Sequence, residues 1–185
     1  VGNRENDYYR YMALSELFEE RLSATEGLIA AMRACRKIKR PIYLAVDEWN
    51  VWYRVRDNRL EEQYNLEDAL VVALQLNAFI RHAHSVKMAN LAQIVNVIAP
   101  ILTRPDGLLL QSIFFPLELY SQNAGPTVLD VWWDGDTFQG GDNSGLRVLD
   151  VSATLDQAAR QVSLFVVNRS LDQSAETTLV LQEGR

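Results

Sequence analysis

Two adjacent carboxylates, Asp47 and Glu48, close an apolar run from Ile42 to Val46 and are followed by Trp49, Asn50, Trp52 and Tyr53. A carboxylate can attack or shield a carbon that develops positive charge, as an anomeric carbon does when a glycosidic bond breaks. Flat aromatic faces beside it would stack on the sugar ring. The same residue types also serve as a strand end whose carboxylate pairs with an arginine or a helix N-terminus. Both readings need Glu48 to stand at the end of a strand. Ile42–Val46, opened by Pro41, reads as a buried strand of a parallel sheet. Alternation turns Asp47 and Glu48 to opposite faces. Glu48 is assigned to the cleft side together with Leu44 and Val46. Asp47 is assigned to the other face, where hydrogen bonding would orient the strand end.

The surrounding elements must hold that strand. From about Asp7 to Ile38 the chain reads as helical, with a stripe of Met12, Leu14, Leu17, Phe18 and Leu22. The stripe resumes after Gly27 in Leu28, Ile29, Ala31 and Met32. Asn6 or Asp7 is the expected N-cap. A charged loop, Arg54–Gln63, follows the strand. Asn65 and Asp68 then form a capping-box pattern that opens an apolar helix to about Arg81. A second buried strand, Val86–Ala92, ends at Gln93, and a third helix over Leu108–Tyr120 carries Pro116 and should be kinked. Helix and strand alternate with long crossovers, which indicates parallel α/β architecture. Beyond Gly125 the texture becomes antiparallel β, in Val128–Trp133, Leu146–Thr154, Arg160–Asn168 and Thr177–Leu181. In the third of these, Val162, Leu164 and Val166 form the apolar face. The boundary falls near residues 121–127, giving regions 1–122 and 123–185.

Composition narrows the class. A net charge of −6 argues against a nucleic-acid partner. The one dense basic run, Arg33–Arg40, closes a helix and complements its dipole. Cys35 is the sole cysteine, so no internal disulfide can form. No apolar run reaches the ~18 residues of a membrane span, which leaves no membrane partner. The chain opens at Val1 without a signal peptide, and an upstream portion is expected to be missing.

Five ordered blocks resemble glycoside hydrolase family 51, the α-L-arabinofuranosidases. They are VGNRENDYYRYMALS (Val1–Ser15), DEWNVWY (Asp47–Tyr53), YNLEDALVVAL (Tyr64–Leu74), VKMANLAQIVNVIAPI (Val86–Ile101) and LDVSAT with FVVNRS (Leu149–Thr154, Phe165–Ser170). The resemblance implies the C-terminal part of a (β/α)8 TIM barrel, its last two strands, followed by part of an antiparallel, jelly-roll-like β-sandwich. A whole barrel needs about 250 residues, so 1–122 cannot close one. It further implies Glu48 as nucleophile of a retaining mechanism and Trp52 as a wall of the sugar site, where core packing is the alternative. Gln93 would hydrogen-bond the arabinose, Asn50 and Asn96 would support, and Trp49 would be buried beneath. The general acid/base sits in an Asn-Glu pair of an earlier strand that these residues lack, so the isolated chain should be inactive. The substrate is an arabinose-containing oligo- or polysaccharide, with no metal or organic cofactor. The longer protein is expected to be a cytoplasmic homo-oligomer, with secretion as the alternative. A related endo-β-glycanase and a non-catalytic carbohydrate-binding or assembly module are the rival functions.

Other titratable groups are assigned to structure. His82 and His84, two apart near a helix end, fall on different helix faces and read as surface or dipole-complementing residues. Asp134, Asp136 and Asp142 lack the spacing and closing Glu of a calcium loop. Asn168-Arg169-Ser170 fits a glycosylation sequon but reads as a structural strand end, and Glu5 and Asp7 read as helix-start carboxylates.

Overall fold

The computed structural model describes residues 2–53 and 61–182, so most of the charged Arg54–Gln63 loop lies outside the described residues. The first helix, α1 (Tyr8–Cys35), starts where the Asp7 side chain accepts a hydrogen bond from the Arg10 amide. β1 (Leu44–Trp49) leads to α2 (Leu66–Arg81), whose entry is a complete capping box. Asn65 accepts from the Asp68 amide at 3.2 Å, and the Asp68 carboxylate accepts from the Asn65 amide at 2.9 Å. β2 (Val86–Leu91) then pairs with β1 in parallel.

The next stretch differs from expectation. Residues 101–110 form an antiparallel hairpin, β3 (Ile101–Arg104) with β4 (Gly107–Leu110), in place of the start of a helix. The intervening Pro105-Asp106-Gly107 supplies the turn chemistry that stops a helix there. α3 (Phe114–Asn123) begins later, so Pro116 falls in its first turn, where its missing N–H costs no intrahelical bond and no kink is needed.

β5 (Thr127–Leu129), β8 (Leu149–Asp156) and β9 (Gln161–Asn168) form an antiparallel sheet in the order β5-β8-β9. β6 (Thr137–Gly140) and β7 (Asn143–Arg147) form a hairpin around the acidic segment that carries Asp136 and Asp142. Thr177–Leu181 is not a strand, and Leu179, Val180 and Leu181 are exposed. The face of β9 is also opposite to expectation. Phe165 and Val167 are buried, whereas Val162, Leu164 and Val166 are exposed. A strand apolar on both faces does not reveal by alternation which face meets the core, and here Tyr120 decides it by stacking on Phe165 at 4.2 Å.

One core joins the helices to both kinds of sheet, through Tyr11, Met12, Trp49, Val51, Val72, Leu74, Ile113, Phe165 and Val167. α2 is central and packs on α1, α3, β8 and β9. The far half of the α1 stripe does not join the core, since Leu28 and Met32 are exposed. The two parallel strands are less buried than their sequences suggest: Ala45, Asp47 and Glu48 are exposed in β1, and Lys87 to Asn90 in β2. A two-stranded sheet can rest only one face on helices, and Leu44, Val46 and Trp49 occupy it.

Buried polar contacts fasten α2 to its neighbours. Asn77 donates to the Asp150 carboxylate at 2.7 Å and accepts from Tyr120 and Ser152 at 2.7 and 2.6 Å. Arg81 bridges Asp150, at 3.1 and 3.2 Å, and Glu19, at 2.7 and 3.0 Å. Burial acts to lower the Arg81 pKa, but hydrogen bonds and charge from Glu19 and Asp150 outweigh it and raise the value. Arg169 is buried. It donates to Glu16 at 2.6 Å and to the Arg147 carbonyl, and it lies over the Phe138 ring, so the FVVNRS segment is a structural joint to α1.

The histidine assignment is corrected here. His82 is buried, with its ring nitrogens 2.8 Å from Glu26 Oε1 and 3.1 Å from Glu19 Oε1. α2 ends at Arg81, and residues 82–85 form a turn. The helical rule that separates residues two apart therefore does not apply, and His84 also reaches Glu26.

Candidate active site

The C-terminal ends of β1 and β2 carry the residues singled out in sequence. The β1–β2 ladder slips between Val46 and Trp49: Val46 faces Ala89 and Trp49 faces Leu91, so Asp47 and Glu48 share a bulge. The extra residue resets the alternation. Leu44, Val46 and Trp49 fall on the helix-packed side, and Trp49 is edge-on to Phe79 at 5.1 Å. Glu48 is thus not on the Leu44–Val46 face, as simple alternation predicted, but exposed beside the equally exposed Asp47. Glu48 has no hydrogen-bond or ion-pair partner among the described residues. Asp47 has none either, so the hydrogen bond expected to orient the strand end is not made by its carboxylate.

Asn50 makes that bond instead. Its amide donates to the Ala92 carbonyl at 3.3 Å and the Ile98 carbonyl at 2.6 Å, and its oxygen accepts from the Val51 amide at 2.8 Å. The Ala92 amide donates to the Trp49 carbonyl at 3.0 Å. One side chain therefore ties the end of β1 to the segment leaving β2.

Trp52 is presented outward by anchors on both sides. Val51 is fully buried, and its carbonyl lies 2.7 Å from the Tyr64 hydroxyl, which also stands 2.9 Å from the Ile98 carbonyl. The Tyr53 amide donates to Glu62 at 2.7 Å. Alternation then turns Trp52 away from the interior, and at 46% exposure it is not a core residue. Gln93 is exposed just past β2, with φ of 63°. Asn96, also at positive φ, holds Thr103 through its amide nitrogen and oxygen, fastening this loop to β3.

Glu62, Tyr64 and Gln111 were not singled out in sequence. Glu62 lies in the stretch assigned as a charged loop, yet it is 1% exposed and its own amide bonds to the Val97 carbonyl. Gln111 donates to the Ala99 carbonyl at 2.8 Å and accepts from the Tyr64 amide at 3.1 Å. A lone glutamine inside LLLQSIFF was the available signal, because a buried amide must be satisfied. Behind these, Asp68 accepts from Tyr11 at 3.0 Å. Burial, then the nearby Asp68 charge, pushes the Tyr11 phenol well above its ordinary range.

The arrangement is an uncompensated carboxylate at a strand end, next to an exposed indole and an exposed amide, on a rigidly tied backbone. It can place negative charge against a bound group and offer that group a flat apolar wall.

The family described as alpha-L-arabinofuranosidase C-terminal domain matches residues 47–184. An intracellular exo-α-(1→5)-L-arabinofuranosidase of Acetivibrio thermocellus is 31% identical, over 93% of this chain and 38% of its own length. Its namesake 1 of Bacillus subtilis is 31% identical, over 98% of this chain and 39% of its own. Among solved structures, an α-L-arabinofuranosidase of Thermotoga maritima in complex with arabinose superposes with a TM-score of 0.78 at 31% identity, covering 90% of this chain and 36% of that one. The chain therefore spans under two fifths of the length of these relatives.

Proposed function

The chain belongs to the α-L-arabinofuranosidase C-terminal domain family, and on that premise we propose that it is the nucleophile-bearing part of a retaining α-L-arabinofuranosidase. Such a glycoside hydrolase removes terminal arabinofuranosyl groups from arabinose-containing oligo- or polysaccharides. The observation that carries this reading is the state of Glu48: exposed at a parallel strand end, free of any described cation, and flanked by Trp52.

Glu48 attacks the anomeric carbon while a second carboxyl protonates the departing oxygen, leaving an arabinosyl ester on Glu48. That second carboxyl then takes a proton from water, which attacks the same carbon, frees arabinose and restores Glu48. The partner must stand ~5–5.5 Å from Glu48, and we assign it to sequence outside these 185 residues. Trp52 walls the sugar, Gln93 hydrogen-bonds it, Asn50 and Asn96 fix the loop that carries Gln93, and Asp47 stands beside the nucleophile. Two carboxyls suffice, so the mechanism uses no cofactor. Residues 1–122 are read as the end of a (β/α)8 barrel and 123–185 as part of a β-sandwich; the parallel β1–β2 pair supports the first, with the β3–β4 hairpin an antiparallel addition to it, and the antiparallel pairings of β5 to β9 support the second. The intracellular names of the two relatives support a cytoplasmic placing, and the assembled protein is read as a homo-oligomer.

Two preparations test this. The chain by itself should not hydrolyse an aryl α-L-arabinofuranoside, and hydrolysis lost on Glu48→Gln would overturn the half-site claim. A chimera carrying this chain in place of the matching 39% of the Bacillus subtilis relative should be active. A 2-fluoro-arabinofuranosyl donor should label it at Glu48, and Glu48→Gln should lower turnover at least ~10³-fold. An active chimera labelled elsewhere removes Glu48 from its role. Glycan binding without turnover or label identifies a binding module.

A further inference from the structure

At the opposite end of the parallel strands, the turn that feeds β2 brings two imidazoles onto one carboxylate oxygen. Glu26 Oε1 is 2.8 Å from His82 Nδ1 and 3.4 Å from His84 Nε2. The donor atoms of the three residues all lie within 4.8 Å of one another. We propose that Glu26, His82 and His84 bind a divalent transition-metal ion of the zinc class.

The ring of His82 is the reason. Its Nε2 stands 3.1 Å from Glu19 Oε1, and Glu19 is held on its other side by the Arg81 guanidinium. An Nε2–H donated to Glu19 leaves the Nδ1 lone pair facing the Glu26 carboxylate, two acceptors in contact unless a cation lies between them. A carboxylate that fixes the far nitrogen of a ligating imidazole is also the usual outer support of a metal-bound histidine. The Ser85 hydroxyl donates to the same Glu26 oxygen and a proton on Nδ1 would satisfy the His82 pair, but neither gives a role to His84, whose ring is mostly exposed and still directs Nε2 at that oxygen.

Donor spacing fits a small ion. Bonds of 2.0–2.2 Å in a tetrahedral shell set neighbouring donors about 3.3 Å apart. The two measured separations, 2.8 and 3.4 Å, lie on either side of that figure. Two imidazoles and one carboxylate select zinc, cobalt, nickel or copper over calcium and magnesium, which take oxygen shells. His84, with 68% of its side chain exposed, leaves the cluster open to water as a fourth ligand. Because Leu44 pairs with Val86 at this end while Glu48 lies at the other, the ion would act as a clip between α1 and the α2–β2 turn and would not touch the sugar site.

Co2+ titration of the metal-free chain tests the site, with Cys35→Ser removing the one exposed thiol. The expected result is one equivalent bound with the visible absorption of four-coordinate cobalt, displaced by Zn2+ but not by Mg2+ or Ca2+. His84→Ala, at an exposed position, should weaken binding by at least about tenfold with an unchanged circular dichroism spectrum. Glu26→Gln should do the same. No absorption band, or cobalt binding of equal strength in His84→Ala, would overturn the proposal.

Discussion

Replacing Asp150 by Asn should destabilise the protein, yet the same replacement should stabilise it once Arg81 is gone. Asp150 is 5% exposed and accepts from Asn77 and, through both oxygens, from Arg81. Asp150→Asn retains the oxygen that serves Asn77 but turns an amide toward the Arg81 guanidinium. Arg81 keeps its two bonds to Glu19. The loss is then one charge-assisted contact, about 1.5–3 kcal/mol. Arg81→Met is worse, because it leaves the Asp150 carboxylate buried with only neutral donors, at about 3–5 kcal/mol. In that background, Asp150→Asn removes the stranded charge and should return ~1–3 kcal/mol, giving a coupling of at least about 2 kcal/mol. Urea unfolding of the four proteins at pH 7, followed by tryptophan fluorescence with a common slope, measures each value. At roughly 2–4 °C per kcal/mol for a chain of this size, Arg81→Met should lower Tm by about 6–20 °C. If Asp150→Asn has the same effect in both backgrounds within ~0.5 kcal/mol, the two side chains do not act as a pair and the network does not hold α2 to β8 as described.

Gly140 and Gly27 should respond oppositely to alanine. A Cβ at Gly140 would lie 2.3 Å from the Tyr9 carbonyl and 2.7 Å from the Ala13 Cβ, forcing β6 off α1 at about 1–3 kcal/mol, whereas Gly27 has open space within α1 and should gain ~0.5–1 kcal/mol, both read by thermal unfolding. Tyr11, held neutral by burial and Asp68, has a folded pKa above the ordinary 10.0, so its stabilisation is intact below pH 10 and is lost as pH rises beyond it. Tyr11→Phe should therefore flatten the alkaline limb of a stability–pH curve, though only partly, since burial raises Tyr120 in the same direction. Glu48→Gln should change stability by less than ~0.5 kcal/mol, because an exposed and unpaired carboxylate holds nothing in place; a larger loss in urea unfolding would mark Glu48 as a structural group.

The helices and the parallel pair were legible because their signals are local. The capping box at Asn65, the Asp7 cap and the β1–α2–β2 order can be read without knowing what lies across the core. What depends on partners distant in sequence was not legible. The bulge at Asp47–Glu48 arises from pairing with β2, and one extra residue reverses the face of Glu48. The inward side of β9 is set by Tyr120, 45 positions away in a different element. His82 reads as a helix-end histidine until α1 supplies Glu19 and Glu26. The hairpin at 101–110 is a different kind of miss: Pro105-Asp106-Gly107 announces a turn, and the apolar run beyond it is assigned to a helix starting at Leu108, six residues before α3 begins.

The two ends of the parallel strands follow opposite physical rules, which bears on where function can reside. At the N-terminal end, partly buried charges face one another, with Arg81 bonded to Glu19 and His82 set between Glu19 and Glu26. At the C-terminal end, the backbone is satisfied, through Asn50, Tyr64, Glu62 and Gln111, while the side chains of Glu48, Trp52 and Gln93 are left outward. Satisfying the main chain with the Asn50 and Gln111 amides, the Tyr64 phenol and the buried Glu62 carboxylate ties the loops down without consuming the exposed groups. A carboxylate that is to attack a substrate must not be neutralised by its own protein, and among the described residues at the two strand ends Glu48 and Asp47, at the C-terminal end, are in that condition.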